Sequence, residues 1–266
     1  MDLHLFTTDV SAFTLLAHLG TDDRVTCIVV PENRLASEKV RRVRALAPVP
    51  VQIHRRNSTL DAGLPPAQAA VSWFYSQIIA PADLARYPQG ILNMHGGRIP
   101  EYRGANVLNW AIANGEREIG ITWHLLVAEI DAGPIYAETI VPVSDDESAC
   151  DARAKIIEAG HRLFPHAWQR LRLGLAPLRC PDPGQGKAWP SRRPEHGRIE
   201  ADWPERRVRA MIRAQCPPWP PAFLMDGDHR IEVDGISDTA LSGAVPYRTS
   251  DGRWLYLRLR TRSPAP

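Results

Sequence analysis

The stretch Gly90-Ile91-Leu92-Asn93-Met94-His95-Gly96-Gly97 decides how the first half of the chain is read. Ile91 to His95 has the length of a short buried strand, in which successive side chains point to opposite faces. Asn93 and His95 therefore share one face, and Met94 takes the other. An amide and an imidazole at a strand end, opening onto a glycine turn, can hold a carbonyl carbon and manage its proton.

Outward from this strand, Leu3 to Phe6, Val25 to Val30, Val49 to Ile53 and Ala69 to Phe74 are further apolar runs of strand length. Between them the pattern predicts a helix over Ser11 to Leu19, capped by Asp9 or Ser11. It also predicts a helix over Glu38 to Ala47 and a helical turn over Ala82 to Arg86. Strands alternating with helices predict an α/β fold with a parallel, helix-covered sheet. Downstream come a helix over Val107 to Asn114 and strands over Gly120 to Leu126 and Ile135 to Val143, around the turn Asp131-Ala132-Gly133-Pro134. A long helix over Ala149 to Leu173 follows, which Pro165 is expected to kink or break.

Composition changes after Gly174. Pro177 to Pro194 is rich in Pro, Gly and Arg and reads as a linker. A helix over Ala201 to Gln215, with Asp202 as cap and Pro204 near its first turn, leads into alternating runs such as Ile231-Glu232-Val233 and Trp254 to Leu257. The expected organisation is a catalytic domain over residues 1–180, a linker over 181–200 and a small β-rich domain over 201–266. Ser263 to Pro266 are expected to be loose.

The 266 residues suffice for one large core plus a smaller unit. A formal net charge of +2 gives no support for nucleic-acid binding. The runs Lys39 to Arg44 and Arg206 to Arg209 read as solvated helix faces. Cys27, Cys150, Cys180 and Cys216 have no metal or redox spacing, so reduced thiols in the cytoplasm are expected. No secretory signal is visible at Met1, and no stretch nears the roughly 20 apolar residues that span a bilayer.

Gly184-Gln185-Gly186-Lys187 fails as a phosphate loop, because Ala188 stands where a hydroxyl residue is needed and no strand precedes it. Thr7-Thr8-Asp9 follows the first strand with no glycine fingerprint, so a dinucleotide cofactor is unsupported. His95, His124 and Asp131 lack the close ligand pairing of zinc sites, and no metal is expected. His124 reads as a hydrogen-bonded structural histidine. Asp131 alone is common turn chemistry. Taken together, Asn93, His95 and Asp131 sit at the ends of apolar segments, where open α/β sheets place their sites.

That combination suits acyl or formyl transfer to an amine. Attack on a formyl carbonyl puts negative charge on oxygen, which the Asn93 amide and a protonated His95 can stabilise. Histidine can also carry the proton lost by the attacking nitrogen and gained by the leaving one. A neighbouring Asp131 carboxylate would favour imidazolium and fix its orientation. No nucleophile elbow of the G-x-S-x-G type is present.

The segment Asn93-Met94-His95-Gly96-Gly97-Arg98-Ile99-Pro100-Glu101-Tyr102-Arg103-Gly104 resembles the central motif of the 10-formyltetrahydrofolate-dependent formyltransferases. Gly120 to His124 and Ile130 to Ile135 resemble the family's second motif. Ser72 to Ile79 is similar to the strand and loop lining its folate pocket, and Pro217 to Phe223 to a segment of its C-terminal barrel. The resemblance implies a Rossmann-like formyltransferase domain followed by an OB-like barrel, with 10-formyltetrahydrofolate as formyl donor. It implies His95 as the catalytic histidine, Asn93 as stabiliser of the tetrahedral intermediate and Asp131 as the carboxylate tuning the histidine. Gln77, Ile78 and Ile79, with Val127, Ala128, Glu129 and Ile130, would be the loops that meet the pteridine.

Three departures bear on the substrate. Gly97-Arg98 stands where many members have Ser-Leu, Ala105 where the aminoarabinose-modifying type has arginine, and Pro221 replaces a glycine. Pro31 to Glu38 is short and weakly basic, unlike the insertion of the branch acting on methionyl-tRNA. The expected partner is a small-molecule amine, first a nucleotide-linked amino sugar, with no nucleic acid and no membrane. A hydroxyornithine-type siderophore precursor, methionyl-tRNA, hydrolysis of the donor and a non-catalytic binding module are the alternatives. A homodimer is compatible with the sequence.

Overall fold

The computed structural model describes residues 1–182, 184–217 and 219–260. Ser263 to Pro266, and Pro218 of the barrel-like segment, lie outside these. Two compact units form: one from Met1–Arg103, Gly120–Ile140 and Ile156–Ala188, the other from Gly104–Ile119, Val141–Lys155 and Trp189 onward.

The chain order begins with β1 (Asp2–Thr7), β2 (Arg24–Pro31), β3 (Val51–His54), β4 (Ala69–Trp73) and β5 (Ile91–His95). It continues with the short β6 (Arg103–Gly104), β7 (Glu118–Leu125) and β8 (Ile135–Pro142). All but β6 join in one sheet, ordered β3-β2-β1-β4-β5-β7-β8. The pairs from β3 through β5 are parallel, while β5 and β7 are antiparallel. The expectation of a wholly parallel sheet is corrected at this edge. The reversed direction of β7 sets His124 across from Asn93, and Thr122 across from His95.

The two faces of the sheet are built differently. On one, Trp73, Met94 and Trp123 meet the helix α4 (Ala149–Arg172), the last α-helix before the short β9 (Ala188–Trp189). A Cβ at Gly160 would come within 3.0 Å of the Trp73 ring, so glycine lets helix and sheet approach closely. Trp123 Nε1 donates to Gly160 O at 2.9 Å. Buried Phe164 and Trp168 continue the contact on either side of Pro165, and α4 runs through that proline unbroken. Burying these aromatics offsets the one backbone hydrogen bond that proline removes.

On the other face, Phe6, Cys27, Val29, Ala70 and Ile91 form an apolar cluster with Leu60, Leu64, Ile79 and Tyr87. Following that face along β5, Ile91 gives way to Asn93 and then His95. Core packing thus ends where the polar groups begin.

Helix α1 (Glu38–Leu46) is capped by Ser37, whose hydroxyl accepts from Val40 N. The short α2 (Pro81–Leu84) follows β4. Val10–His18 forms a 3-10 rather than an α-helix, capped by Asp9, with Ala12 and Leu15 buried. Residues three apart eclipse in that geometry, so one narrow stripe serves the contact.

His4 on β1 is buried, with Nδ1 2.8 Å from the Tyr87 hydroxyl. Burial, aided by Arg86, pushes its pKa down to about 4. The folded state holds this ring neutral while the unfolded chain protonates it near pH 6.5. Stability present above that pH is therefore lost as pH falls toward 4, by about 3 kcal/mol. Thermal melts at pH 7 and pH 5 should show a shallower loss for His4→Gln than for the wild type.

The second unit holds α3 (Val107–Ala113), α5 (Glu205–Ala214) and an antiparallel sheet. Its strands are β10 (Ala222–Asp226), β11 (His229–Ser237), β12 (Ala244–Arg248) and β13 (Trp254–Arg260), ordered β10-β11-β13-β12. Asn109 ties the two helices by donating to Ala214 O at 2.7 Å. The expected cap Asp202 is corrected: Pro204 is the cap residue, and Asp251 accepts from Glu205 N at 3.2 Å. A carboxylate distant in sequence serves the helix start because Pro204 offers no side-chain acceptor.

Arg192 is buried in this unit, donating to Gln215 Oε1 and His196 O at 2.8 Å each. Burial alone lowers its pKa to about 10. Cys150 and Cys216, expected as reduced thiols, form a disulfide, whereas Cys27 and Cys180 are free. The two partners lie 66 residues apart in sequence, which is why spacing gave no sign of them.

Candidate active site

Asn93 and His95 reach one side of the sheet because β5 alternates, and β7 delivers His124 to the same side. Asp131 arrives by a turn. Its φ of +48 lies in the left-handed region, which aspartate tolerates better than most residues. The turn is pinned where Leu125 N donates to Pro134 O at 2.9 Å. A Cβ on Gly133 would stand 1.9 Å from Leu125 O, a backbone atom with nowhere to go. Gly133→Ala should therefore cost about 1–3 kcal/mol of stability and displace Asp131. Denaturant melts and turnover measured on the same preparation check both effects.

The four side chains interlock. The Asp131 carboxylate lies between two histidines, Oδ2 3.3 Å from His95 Nδ1 and Oδ1 3.4 Å from His124 Nε2. His95 Nε2 donates to Tyr102 O at 2.6 Å. With Nε2 so engaged, Nδ1 can donate to Asp131 only when the ring carries both protons. His124 Nδ1 donates to Leu125 O at 2.9 Å, which leaves Nε2 to accept from Asn93 Nδ2 at 3.1 Å. That bond fixes the orientation of the Asn93 amide and leaves its second N–H for a ligand.

The sequence-predicted trio Asn93, His95 and Asp131 is thus brought together. His124, read from sequence as a structural histidine, is hydrogen-bonded as expected, but through Nε2 to Asn93, a member of that trio, and it lies 3.4 Å from the carboxylate of another, Asp131. Its strand parity was the available signal: His124 and Thr122 share a face, and the register across from Asn93 and His95 supplies the rest.

The two loops implied for donor binding stand as follows. Gln77 donates to His54 O at 3.2 Å and Arg55 O at 2.8 Å, Ile79 belongs to the buried cluster, and Ile78 is 78% exposed. Leu126 packs against that same cluster, so both loops are rooted in one patch of core. Val127, Ala128 and Ile130 are exposed. Glu129 is engaged by the buried Arg103, Nη1 to Oε1 at 2.8 Å. From sequence, Arg103 is part of the motif ending Tyr102-Arg103-Gly104 but is given no role of its own.

A cavity of about 470 Å3 opens beside Thr122, with Arg98, Ile99 and Arg179 on its walls. Its Arg179 is paired to Glu138 at 2.7 Å and donates to Ile99 O, so that cation serves the protein itself. Among the described residues, no group of three or more His, Cys, Asp or Glu could hold a metal ion, and no helix is long and apolar enough to cross a membrane.

The fold is shared with solved structures. An N-formyltransferase from Helicobacter canadensis, in complex with folinic acid and dTDP-3-aminofucose, matches at TM-score 0.73 and 15% identity, over 97% of this chain and 99% of its own. WlaRD, a sugar 3N-formyl transferase in the presence of dTDP and 5-N-formyl-THF, matches at 0.73 and 14%, over 99% of both chains. A 4-N formyltransferase from Francisella tularensis matches at 0.70 and 18%, over 86% and 94%. Residues 36–168, half of the chain, match the family described as formyl transferase and contain Asn93, His95 and Asp131. The chain belongs to the formyl transferase family.

Proposed function

We propose that this formyl transferase is an N-formyltransferase that moves a formyl group from 10-formyltetrahydrofolate to the primary amine of a nucleotide-linked amino sugar. The observation that carries the chemistry is the interlocked set Asn93, His95, His124 and Asp131. The acceptor class is supported by the likeness to folds that hold dTDP or a dTDP-amino sugar.

In this reading, Asn93 turns its remaining N–H toward the formyl oxygen, where negative charge develops as the amine adds. His95 carries the proton that leaves the attacking nitrogen and returns it to the departing one, so the ring ends as it began. Asp131 holds the protonated ring in place, and His124 holds Asn93.

Gln77, Ile78 and Ile79 on one side, and Val127, Ala128, Glu129 and Ile130 on the other, are proposed to receive the donor's pteridine. Exposed apolar side chains such as Ile78 and Ile130 suit a flat ring system. The proposed organisation keeps the chemistry within residues 1–180, with 181–200 as connector and 201–266 as an OB-like domain. A homodimer and a cytoplasmic location complete the proposal; light scattering and fractionation test them.

The direct test mixes the protein with 10-formyltetrahydrofolate and a panel of amines, and reads each amine by mass spectrometry for one added formyl unit. Nucleotide-linked amino sugars should be modified at the highest kcat/KM. Preference for a hydroxylated ornithine or methionyl-tRNA would replace the acceptor, and formate release without any amine would replace transfer by hydrolysis.

A further inference from the structure

Tyr102 and Arg103 are consecutive, yet each holds a different end of the His95–Asp131 pair. The Tyr102 carbonyl accepts from His95 Nε2 at 2.6 Å. The Arg103 guanidinium, 8% exposed, grips Glu129 at 2.8 Å, two residues before Asp131 in the same turn. Glu129 itself is 52% exposed and stands on a loop whose neighbours Val127 and Ile130 face solvent. Little packing holds that loop at its tip. Asp131 also sits at φ +48, so its backbone leans on such restraints.

We infer that Arg103 is a positioning residue: it clamps Glu129 so that the turn presents Asp131 to His95 and His124. The clamp deepens the proposed formyl transfer and rests on that reading. Its short reach explains why one dipeptide serves both partners. The main chain fixes the imidazole, and the adjacent side chain fixes the loop that brings the carboxylate. A shift of about 1 Å in a catalytic group can lower rate by up to about a hundredfold.

Glu129 is exposed and can be changed without disturbing the core, so Glu129→Gln is the primary variant, with Arg103→Lys and Arg103→Ala beside it. The expected result is a fall in kcat of about tenfold for Glu129→Gln and up to about a hundredfold for Arg103→Ala, with partial recovery in Arg103→Lys. In an Asp131→Asn background, the same changes should lower kcat by less than about twofold further, because the group they position is already disabled. Effects that multiply in the double variants, or an unchanged kcat in Glu129→Gln, overturn the inference. A second measurement stands apart from activity. Amide hydrogen exchange over residues 126–133 should quicken in Glu129→Gln at unchanged melting temperature, and an unchanged exchange rate overturns the clamp. A wild-type protein that formylates no amine defeats the functional proposal instead, and the exchange measurement still decides the clamp.

Discussion

His95→Ala is expected to lower kcat by about two to four orders of magnitude while the fold and donor binding persist. In the proposed mechanism His95 moves a proton between two nitrogens. His124 is wholly buried and spends its Nε2 lone pair on Asn93, so it is not open to a substrate. Asp131 accepts but has no proton to give while ionised. Truncation to alanine leaves the strand intact, since β5 is held by its ladders to β4 and β7 rather than by this side chain. The measurement is steady-state transfer to the preferred amine, with donor affinity taken from a titration. His95→Gln refines it: the amide restores a hydrogen-bond donor but cannot carry a proton, so turnover should stay within about tenfold of alanine. Activity near wild type in either variant would remove His95 from the chemistry.

Asp131→Asn is expected to lower kcat by about two orders of magnitude with little change in melting temperature. The substitution is chosen for its backbone. Asparagine adopts the left-handed conformation of this position as readily as aspartate, so the φ of +48 is kept while the charge is lost. Asp131→Ala would confound the two, because alanine at positive φ is strained by about 1–2 kcal/mol. Without the carboxylate, nothing at that oxygen position balances a ring protonated on both nitrogens, and His95 Nδ1 loses its anionic partner at 3.3 Å. An Asp131→Asn enzyme with wild-type kcat would leave His95 to work alone and limit Asp131 to shaping the turn.

Several residues show where reading along the chain stops. His124 was visible as a polar residue in an apolar strand, but its partner Asn93 lies 31 positions away and on an antiparallel neighbour. Strand direction cannot be read from one strand's own residues. The Arg103–Glu129 pair spans 26 positions with no periodicity to announce it. Asp251 supplies the acceptor at the start of α5 that local spacing assigned to Asp202. In each case the deciding contact is between segments that meet only after folding, and local propensity contains no term for it.

Alternation, helical spacing and turn chemistry are properties of a few consecutive residues, and they were enough to place the seven strands of the larger sheet and the α/β class and to nominate the Asn93, His95 and Asp131 trio. What required the folded chain was the reversed β7 edge, His124 between Asn93 and Asp131, the clamp on Glu129 and the Cys150–Cys216 disulfide. Such contacts depend on which strand becomes whose neighbour, and that choice is made by burying one shared core rather than by any single segment.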